Sequence, residues 1–520
     1  MIGADAPSDR RLLMPWRRTI AVGRAFELTR ADLVEHLRWL QREIGYQYCR
    51  FHGVFHDDMA VAVRTANGTL TFQWHQVDKV YDTLLSLGLR PFVELNPMPA
   101  ALASGSQTMF HWKMNVTPPR SYDEWSALVA AFTRHIVERY GLDEVRQWFF
   151  EVWNEPNLPA FWSGTKDDYW RLFEHAARAV KSVDTRLRVG GPATSKARWI
   201  LDLIEHCTRH GIPLDFISTH LYPQDEYVEY PDRRGSPHRP GEFFADTIRH
   251  VQHQVRNSDR PDLEIHWTEW NTQSAASTAT VDWINNPCVD NLFAASFIVD
   301  NCLKLDDACH SMCYWVASDI FEEGGLPHSP FSATYGLLTI HGIPKAAANA
   351  FRFLRQLHGA MLPVSSEPAP PAGCGCCATQ EGNISRLLLW HHQRLDEPAK
   401  PTWHSLITVR LPAHAAQQPH VVVTSRIRAG AGSAYETWCA IGRPQNLSRA
   451  EESLLRAHAE PERTGAILLP ESGMLPLPVV VPPQEVVLVE LRPQQISSVS
   501  KSAPDATLAE LNVLLAEPSR

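Results

Sequence analysis

The sequence predicts an α/β protein: a (β/α)8 TIM barrel followed by an accessory antiparallel β-sandwich. Three observations lead there. Short apolar runs alternate with helical periodicity over the first two thirds of the 520 residues. Eight such runs fall within roughly 340 residues, the spacing of a barrel with enlarged loops. After about residue 360 the pattern changes to short aliphatic and β-branched runs separated by turn residues, as in a small sandwich. A doubly wound sheet also alternates, but no glycine-rich phosphate fingerprint follows the first runs.

The predicted barrel strands are 19–22, 48–51, 91–95, 148–153, 187–190, 216–218, 264–267 and 312–316. Most are followed by Gly, Pro, Asn or His, which suit loops at strand ends. Thr29 and Asp32 have capping-box spacing, Leu33, Leu37, Leu40 and Ile44 follow at helical intervals, and Gly45 closes that helix. Ser121 and Glu124 form a second box before Trp125, Leu128, Phe132 and Ile136, with Gly141 as the stop. Pro344 opens a last helix over 345–358. Residues 365–373, rich in Pro and Ala, read as a linker or long loop. The sandwich strands are expected at 384–390, 406–411, 420–427 and 486–491. The division is therefore a barrel over 15–360, a sandwich over 361–495 that residues 1–14 can join, and a C-terminal tail over 496–520, with a short amphipathic run at 508–515.

Composition narrows the function. Hydrophobic residues at 44% and charged residues at 21% describe a globular chain with a large core. A net charge of −9 argues against general affinity for nucleic acid or anionic membranes. Seventeen Trp suit a sugar binder that offers flat apolar faces, although a large core uses Trp too. Residues 1–18 hold no apolar stretch of signal-peptide length, and no run reaches the roughly 18 apolar residues of a membrane span, so a cytoplasmic address is expected. The ten Cys are irregularly spaced and read as reduced thiols. Cys374, Cys376 and Cys377 cluster, but the second half of a zinc motif is missing and an exposed loop is expected there. His52, His56, Asp57 and Asp58 could imitate metal ligands; no metal and no cofactor are expected.

Barrel enzymes place their chemistry at the C-terminal ends of the strands. Two carboxylates stand there: Glu155, after the fourth strand, and Glu269, after the seventh. Barrel closure brings these strand ends to face each other. Two carboxyls across one cleft suit cleavage of a glycosidic bond, because one protonates the leaving oxygen while the other answers the developing oxocarbenium charge. Each Glu has a Trp beside it, which lowers local polarity and favours a protonated acid. Glu151 lies deeper on the fourth strand and reads as an ion-pair partner, of Arg50 for example; Glu94 on the third strand is similar.

The segment Trp153-Asn154-Glu155-Pro156-Asn157, with Glu269 after a later strand, resembles the retaining glycosidase clan built on this barrel. Arg50-Phe51-His52-Gly53, Asn115-Val116-Thr117-Pro118-Pro119, His220-Leu221-Tyr222 and Asp319-Ile320-Phe321-Glu322-Glu323 narrow the resemblance to glycoside hydrolase family 39, which holds β-xylosidases and α-L-iduronidases. The resemblance covers roughly residues 18–353, and a terminal sandwich also fits that family. It implies Glu155 as general acid/base and Glu269 as nucleophile. It further implies that Asn154 holds the sugar 2-hydroxyl, that His220 and Tyr222 line the same subsite with Tyr222 near the nucleophile, that His52 contacts a hydroxyl, and that Glu322 and Glu323 bind hydroxyls at the far end of the ring. Trp112 and Trp315 are candidate walls. Each of these also has a plain structural reading: core histidine, loop packing, solvated acid pair or barrel core. Two acids at the far end would repel a uronate, so the expected substrate is a xylo-oligosaccharide or another small glycoside cleaved by an exo-β-xylosidase. An α-L-iduronidase, or another retaining glycosidase, and a carbohydrate-binding protein without catalysis are the competing readings.

Overall fold

A computed structural model describes residues 10–223, 225, 242–272, 288–364, 369–394, 397–411 and 416–494. Strands β1 (Thr19–Arg24), β2 (Tyr48–His52), β3 (Arg90–Leu95), β4 (Phe149–Val152), β5 (Arg188–Thr194), β6 (Phe216–His220), β7 (Glu264–Trp270) and β8 (Ser311–Tyr314) close into one parallel barrel. Each overlaps the run expected for it. All eight are buried along nearly their whole length, which is why they read as continuous apolar runs and not as alternation.

Inside the barrel the period of two sorts side chains into layers. Tyr48, Phe92, Phe149 and Phe216 fill the bottom, with His266 packed against three of these rings. Two residues further along β2, β3 and β4 come Arg50, Glu94 and Glu151, a fully buried charged layer. The next step up reaches His52 on β2 and His220 on β6. The polar site thus rests on an apolar floor.

Helices α1 (Ala31–Glu43), α2 (His75–Ser86), α3 (Tyr122–Tyr140), α4 (Lys166–Val183), α5 (Ile200–His210), α6 (Phe243–Arg256), α7 (Leu292–Lys304) and α8 (Ala346–Arg355) accompany the barrel strands. The Ser121 side chain accepts the Glu124 N–H at the start of α3, and Gly141 ends that helix at φ 87°. The box expected at Thr29 does not form. Thr29 closes a short 3-10 turn, its hydroxyl donates to the Phe26 carbonyl at 2.7 Å, and Arg30 stands at the N-cap of α1. No helix among the described residues is long and apolar enough to cross a membrane.

Beyond the barrel, β9 (Ala360–Leu362), β10 (Cys374–Glu381), β11 (Ile384–His391), β13 (His420–Ala429), β14 (Glu462–Leu468) and β16 (Val486–Pro493) form a sheet in the order β9-β10-β11-β16-β13-β14. A second, two-stranded sheet pairs β12 (Trp403–Arg410) with β15 (Met474–Val481). The larger sheet is apolar on both faces. Leu387, Leu389, Val487, Val489 and Leu491 meet the small sheet, whereas Leu388, Trp390, Val486 and Leu488 join the core of the barrel. The Trp390 indole N–H donates to Asp300 of α7 at 2.9 Å across this seam.

One expectation fails here, and three elements appear that the sequence reading did not contain. Cys374, Cys376 and Cys377 lie in β10 and not in a loop; Cys374 and Cys376 pack toward the small sheet while buried Cys377 faces the barrel. Burial pushes the Cys374 and Cys377 thiols up to about 12, which makes them poor nucleophiles and metal ligands at neutral pH. Strand β15 carries Pro476 and Pro478, which hid it from a propensity reading; among the described residues its sheet has two strands, so it is an edge strand, which tolerates them. Helices over Tyr435–Ala440 and Arg449–Ala459 between β13 and β14 were not anticipated. The tail over 496–520, including 508–515, and residues 365–368 of the expected linker lie outside the described residues.

Candidate active site

Strand β4 stops at Val152, and the chain then enters the left-handed region at Trp153 (φ 72°) and Glu155 (φ 45°). Such backbone costs roughly 1–3 kcal/mol per residue and persists only where its surroundings enforce it. The Glu155 N–H is tied to the Ala193 carbonyl of the neighbouring strand at 2.8 Å. This turn aims both Asn154 and Glu155 into the barrel mouth.

On β7 a bulge does the equivalent work. The β6–β7 register runs from Thr219 opposite Trp267 to His220 opposite Glu269, so Thr268 is the extra residue. Thr268 and Glu269 consequently point to the same side. The Thr268 hydroxyl donates to Glu151 at 2.7 Å, and Glu269 reaches the mouth above it.

The two carboxylates meet. One oxygen of Glu155, one of Glu269 and one ring nitrogen of His220 all lie within 4.8 Å of one another. His220 Nδ1 is 3.0 Å from Glu155 Oε1 and 3.6 Å from Glu269 Oε2. Arg50 Nη1 donates to Glu269 Oε1 at 2.9 Å and the Tyr222 hydroxyl donates to Oε2 at 3.0 Å, so each oxygen of Glu269 has its own donor. Burial, reinforced by the charge of Glu269, raises the Tyr222 phenol well above its ordinary range and keeps it a donor. Burial lifts the Glu155 carboxyl to about 7, against hydrogen bonding from Ser195 and the charge of Arg50. A carboxyl lifted in this way suits a general acid.

Burial of the whole mouth causes that shift, not the two Trp expected to do so. Trp153 packs on Trp162 and donates its indole N–H to the Phe161 carbonyl, while Trp270 packs on Tyr314 and Phe351. Both rings belong to the core.

Arg50 is the hub below. Its Nε donates to Glu151 at 2.6 Å, Nη2 to Asn154 Oδ1 at 2.9 Å, and Nη2 also sits 2.6 Å from Glu94. The Glu151–Arg50 pair is as expected. Burial opposes ionisation of Glu151, but Arg50 and His220 outweigh it and hold the carboxyl below its usual range. With Oδ1 of Asn154 committed to Arg50, the amide NH2 is its remaining donor. His52 joins Glu94 through Nδ1 at 2.8 Å and directs Nε2 toward Glu269 Oε1, 3.8 Å away. Burial lowers both His52 and His220 to about 4, so both are neutral at physiological pH.

The aromatic wall is continuous. Trp315 lies 4.6 Å from the His52 ring, Phe110 stacks on His52 at 6.0 Å, and Trp112 stacks on Phe110 at 5.6 Å. Phe110 gave no sequence signal; it sits at the tip of a hairpin, Thr108–Met109 paired with Met114–Asn115, whose His111 N–H donates to the Glu323 carbonyl at 2.7 Å. The two far-end acids have different surroundings. Glu323 is half-buried, and burial together with the charges of Glu269 and Glu155 holds its carboxyl well above the usual range. Glu322 turns instead to Arg24, which grips it through Nε at 3.0 Å and Nη2 at 2.6 Å.

Among the described residues, the Glu155, His220 and Glu269 trio is the group with metal-ligand spacing. The residues that could imitate ligands elsewhere are separately engaged: His52 with Glu94, His56 with Asp58, and Asp57 with the Ala100 N–H.

A parallel eight-stranded barrel with two carboxylates converging at the C-terminal ends of its fourth and seventh strands defines a glycoside hydrolase of the barrel type. The chain belongs to glycosyl hydrolases family 39, whose model matches residues 2–475. It is 37% identical over 450 residues to a β-xylosidase of Caldicellulosiruptor saccharolyticus, covering 85% of this chain and 88% of that one. It is 34% identical over 489 residues to a β-xylosidase of Geobacillus stearothermophilus, covering 92% of each. The crystal structure of a family 39 enzyme from Xanthomonas axonopodis pv. citri superposes with a TM-score of 0.81 at 29% identity, covering 95% of this chain and 96% of that one.

Proposed function

We propose that this protein is a retaining exo-β-xylosidase that releases β-D-xylose from the non-reducing ends of xylo-oligosaccharides by double displacement. In the first step Glu155 gives its proton to the glycosidic oxygen as Glu269 attacks the anomeric carbon. The bond to the leaving sugar breaks and a glycosyl ester of Glu269 forms. In the second step Glu155, now ionised, takes a proton from water, whose oxygen attacks the same carbon and releases Glu269. Two inversions give net retention.

The observation that carries this reading is the close approach of the two carboxylates, with oxygens inside 4.8 Å. Retaining enzymes hold their carboxyls about 5–5.5 Å apart, whereas inverting ones leave about 6.5–9.5 Å for an intervening water. Arg50, Tyr222 and His220 orient Glu269 and Glu155, and Asn154 offers its amide NH2 to the 2-hydroxyl, a contact that strengthens in the transition state.

The choice of a neutral pentose rests on charge. Glu323 stands near both catalytic carboxylates. Arg24 and Arg50 are already engaged, by Glu322 and Asp58 and by Glu94, Glu151 and Glu269 respectively. A uronate would find neither of these two guanidinium groups reserved for it. The likeness to two β-xylosidases over most of the chain supports the same sugar. A panel of aryl glycosides, followed by NMR of the first anomer formed, tests the proposal. Turnover of aryl β-xyloside with β-xylose appearing first is expected. Preference for an aryl α-L-iduronide, or α-xylose as first product, would refute it; binding of xylose without any turnover would indicate a non-catalytic binder.

A further inference from the structure

Glu94 lies on β3, one layer below the site, and is 1% exposed. The two-step chemistry gives it no part. Its carboxyl faces two groups of β2. Oε1 and Oε2 stand 2.8 and 3.0 Å from His52 Nδ1, and Oε2 also stands 2.6 Å from Arg50 Nη2. Arg50 directs its hydrogens elsewhere: from Nε to Glu151, from Nη1 to Glu269, and from Nη2 to Asn154 Oδ1 and, at 3.5 Å, to His220 Nε2. Glu94 thus sits beside the charge and outside these four hydrogen bonds. One guanidinium faces three buried carboxyls, and two of them are needed as anions: Arg50 holds Glu151 ionised, and Glu269 attacks as a carboxylate. A third anion would add an uncompensated charge to a layer closed to water. Burial holds the Glu94 carboxyl well above its usual range; the charges of Glu151 on β4 and of Glu155 beyond it add to this, and Arg50 opposes it.

His52 decides where the proton goes. A neutral imidazole carries one N–H, and burial keeps His52 neutral. Which nitrogen carries it is set by the bond the other makes. An ionised Glu94 would take that hydrogen on Nδ1. Nε2 would then turn a bare lone pair toward Glu269 Oε1, 3.8 Å away, so that two acceptors face each other. A protonated Glu94 donates its O–H to Nδ1 instead. The imidazole hydrogen then sits on Nε2 and points at the nucleophile. We propose that Glu94 is a positioning residue that keeps a proton in the working enzyme, and that by donating it to His52 Nδ1 it fixes His52 as an Nε2 donor facing Glu269. This rests on the β-xylosidase reading, which makes Glu269 the nucleophile, and adds the device that keeps a hydrogen, and not a lone pair, aimed at it.

Neutron diffraction from deuterium-exchanged crystals of the wild-type protein locates these hydrogens directly. Deuterium bonded to a Glu94 oxygen on the line to His52 Nδ1, and a second on His52 Nε2, are expected. Deuterium bonded to Nδ1 with Nε2 bare would overturn the proposal. Two variants give an independent reading. Glu94→Gln offers Nδ1 a neutral N–H donor and leaves an oxygen for Arg50, whereas Glu94→Met offers neither. On aryl β-xyloside, kcat/KM of folded Glu94→Gln should stay within about threefold of wild type, and that of Glu94→Met should fall about 10- to 100-fold, the range for one hydrogen bond to a charged group. A Gln variant no better than the Met variant would mean that the anion itself, or only the bulk of the side chain, is what matters, and would overturn the proposal. Absence of xyloside hydrolysis by wild type would instead overturn the underlying function, and the neutron map would still decide where the proton lies.

Discussion

Glu155 and Glu269 have the same side chain and different surroundings, and the difference sets what each mutation should do. Glu269→Ala removes the carboxylate held by both Arg50 and Tyr222 and should abolish turnover of every glycoside. Glu155→Ala should spare glycosylation by activated aryl leaving groups, which need little protonation, and azide should restore the second step with β-xylosyl azide as product. Equal loss by both variants on all substrates would leave the roles unsupported. The acid also sets the alkaline limb. Because burial raises Glu155 to about 7, kcat/KM should fall as pH rises through that value, and a profile flat to about pH 9 would contradict it. Both carboxylates were legible in the sequence because each ends an apolar run with Trp and Asn within two residues of it. The hub role of Arg50 was only partly so: the parity of β2 points it inward, but its partners Glu94, Glu151, Asn154 and Glu269 are visible together only once the barrel closes. Phe110 was not legible at all, since its place comes from a two-residue hairpin at the mouth.

At the level of elements, the β1 end and the β8 loop are stitched together by a buried acid. Burial, then the nearby charge of Glu322, raises Glu27 to about 8 from its ordinary 4.5. The folded chain thus binds this proton more tightly than the unfolded chain does. The stability that proton contributes is fully present below about 4.5 and is lost as pH rises through about 8. Glu27→Gln carries no charge to lose. Its melting temperature, measured relative to wild type, should improve steadily between about pH 6 and pH 9; parallel curves would show that Glu27 is not protonated in the fold. The barrel strands were readable because both sides of each are buried. The bulge at Thr268 was not, since the sequence of β7 gives no glycine or proline to mark it, and it is the bulge that turns Glu269 inward.

Across the whole molecule, the larger β-sheet is a shared wall, with one face in the sandwich and the other in the barrel core. Leu388 is fully buried on the barrel side and Leu389 fully buried on the small-sheet side. Truncating either to Ala should cost about 2–5 kcal/mol in chemical denaturation. If the sheet is one cooperative unit with the barrel, Leu388→Ala should shift a single transition and leave it single; a separate early transition for the C-terminal part would contradict that. The continuous apolar stretches in β11 and β16 carried this information, because a sheet with one wet face would alternate. The Cys-rich β10 and the Pro-bearing β15 were obscured by residues that usually mark loops.

The central claim is that Glu269 forms a covalent bond to the sugar while Glu155 stands across the anomeric carbon. An activated 2-deoxy-2-fluoro-xyloside slows both steps but allows the first to outrun the second, so the intermediate accumulates. Mass spectrometry of the peptic digest should find one fluoroxylosyl group on the peptide containing Glu269, with activity recovering as it is released. A label on any other residue, or inactivation without a label, would contradict the account.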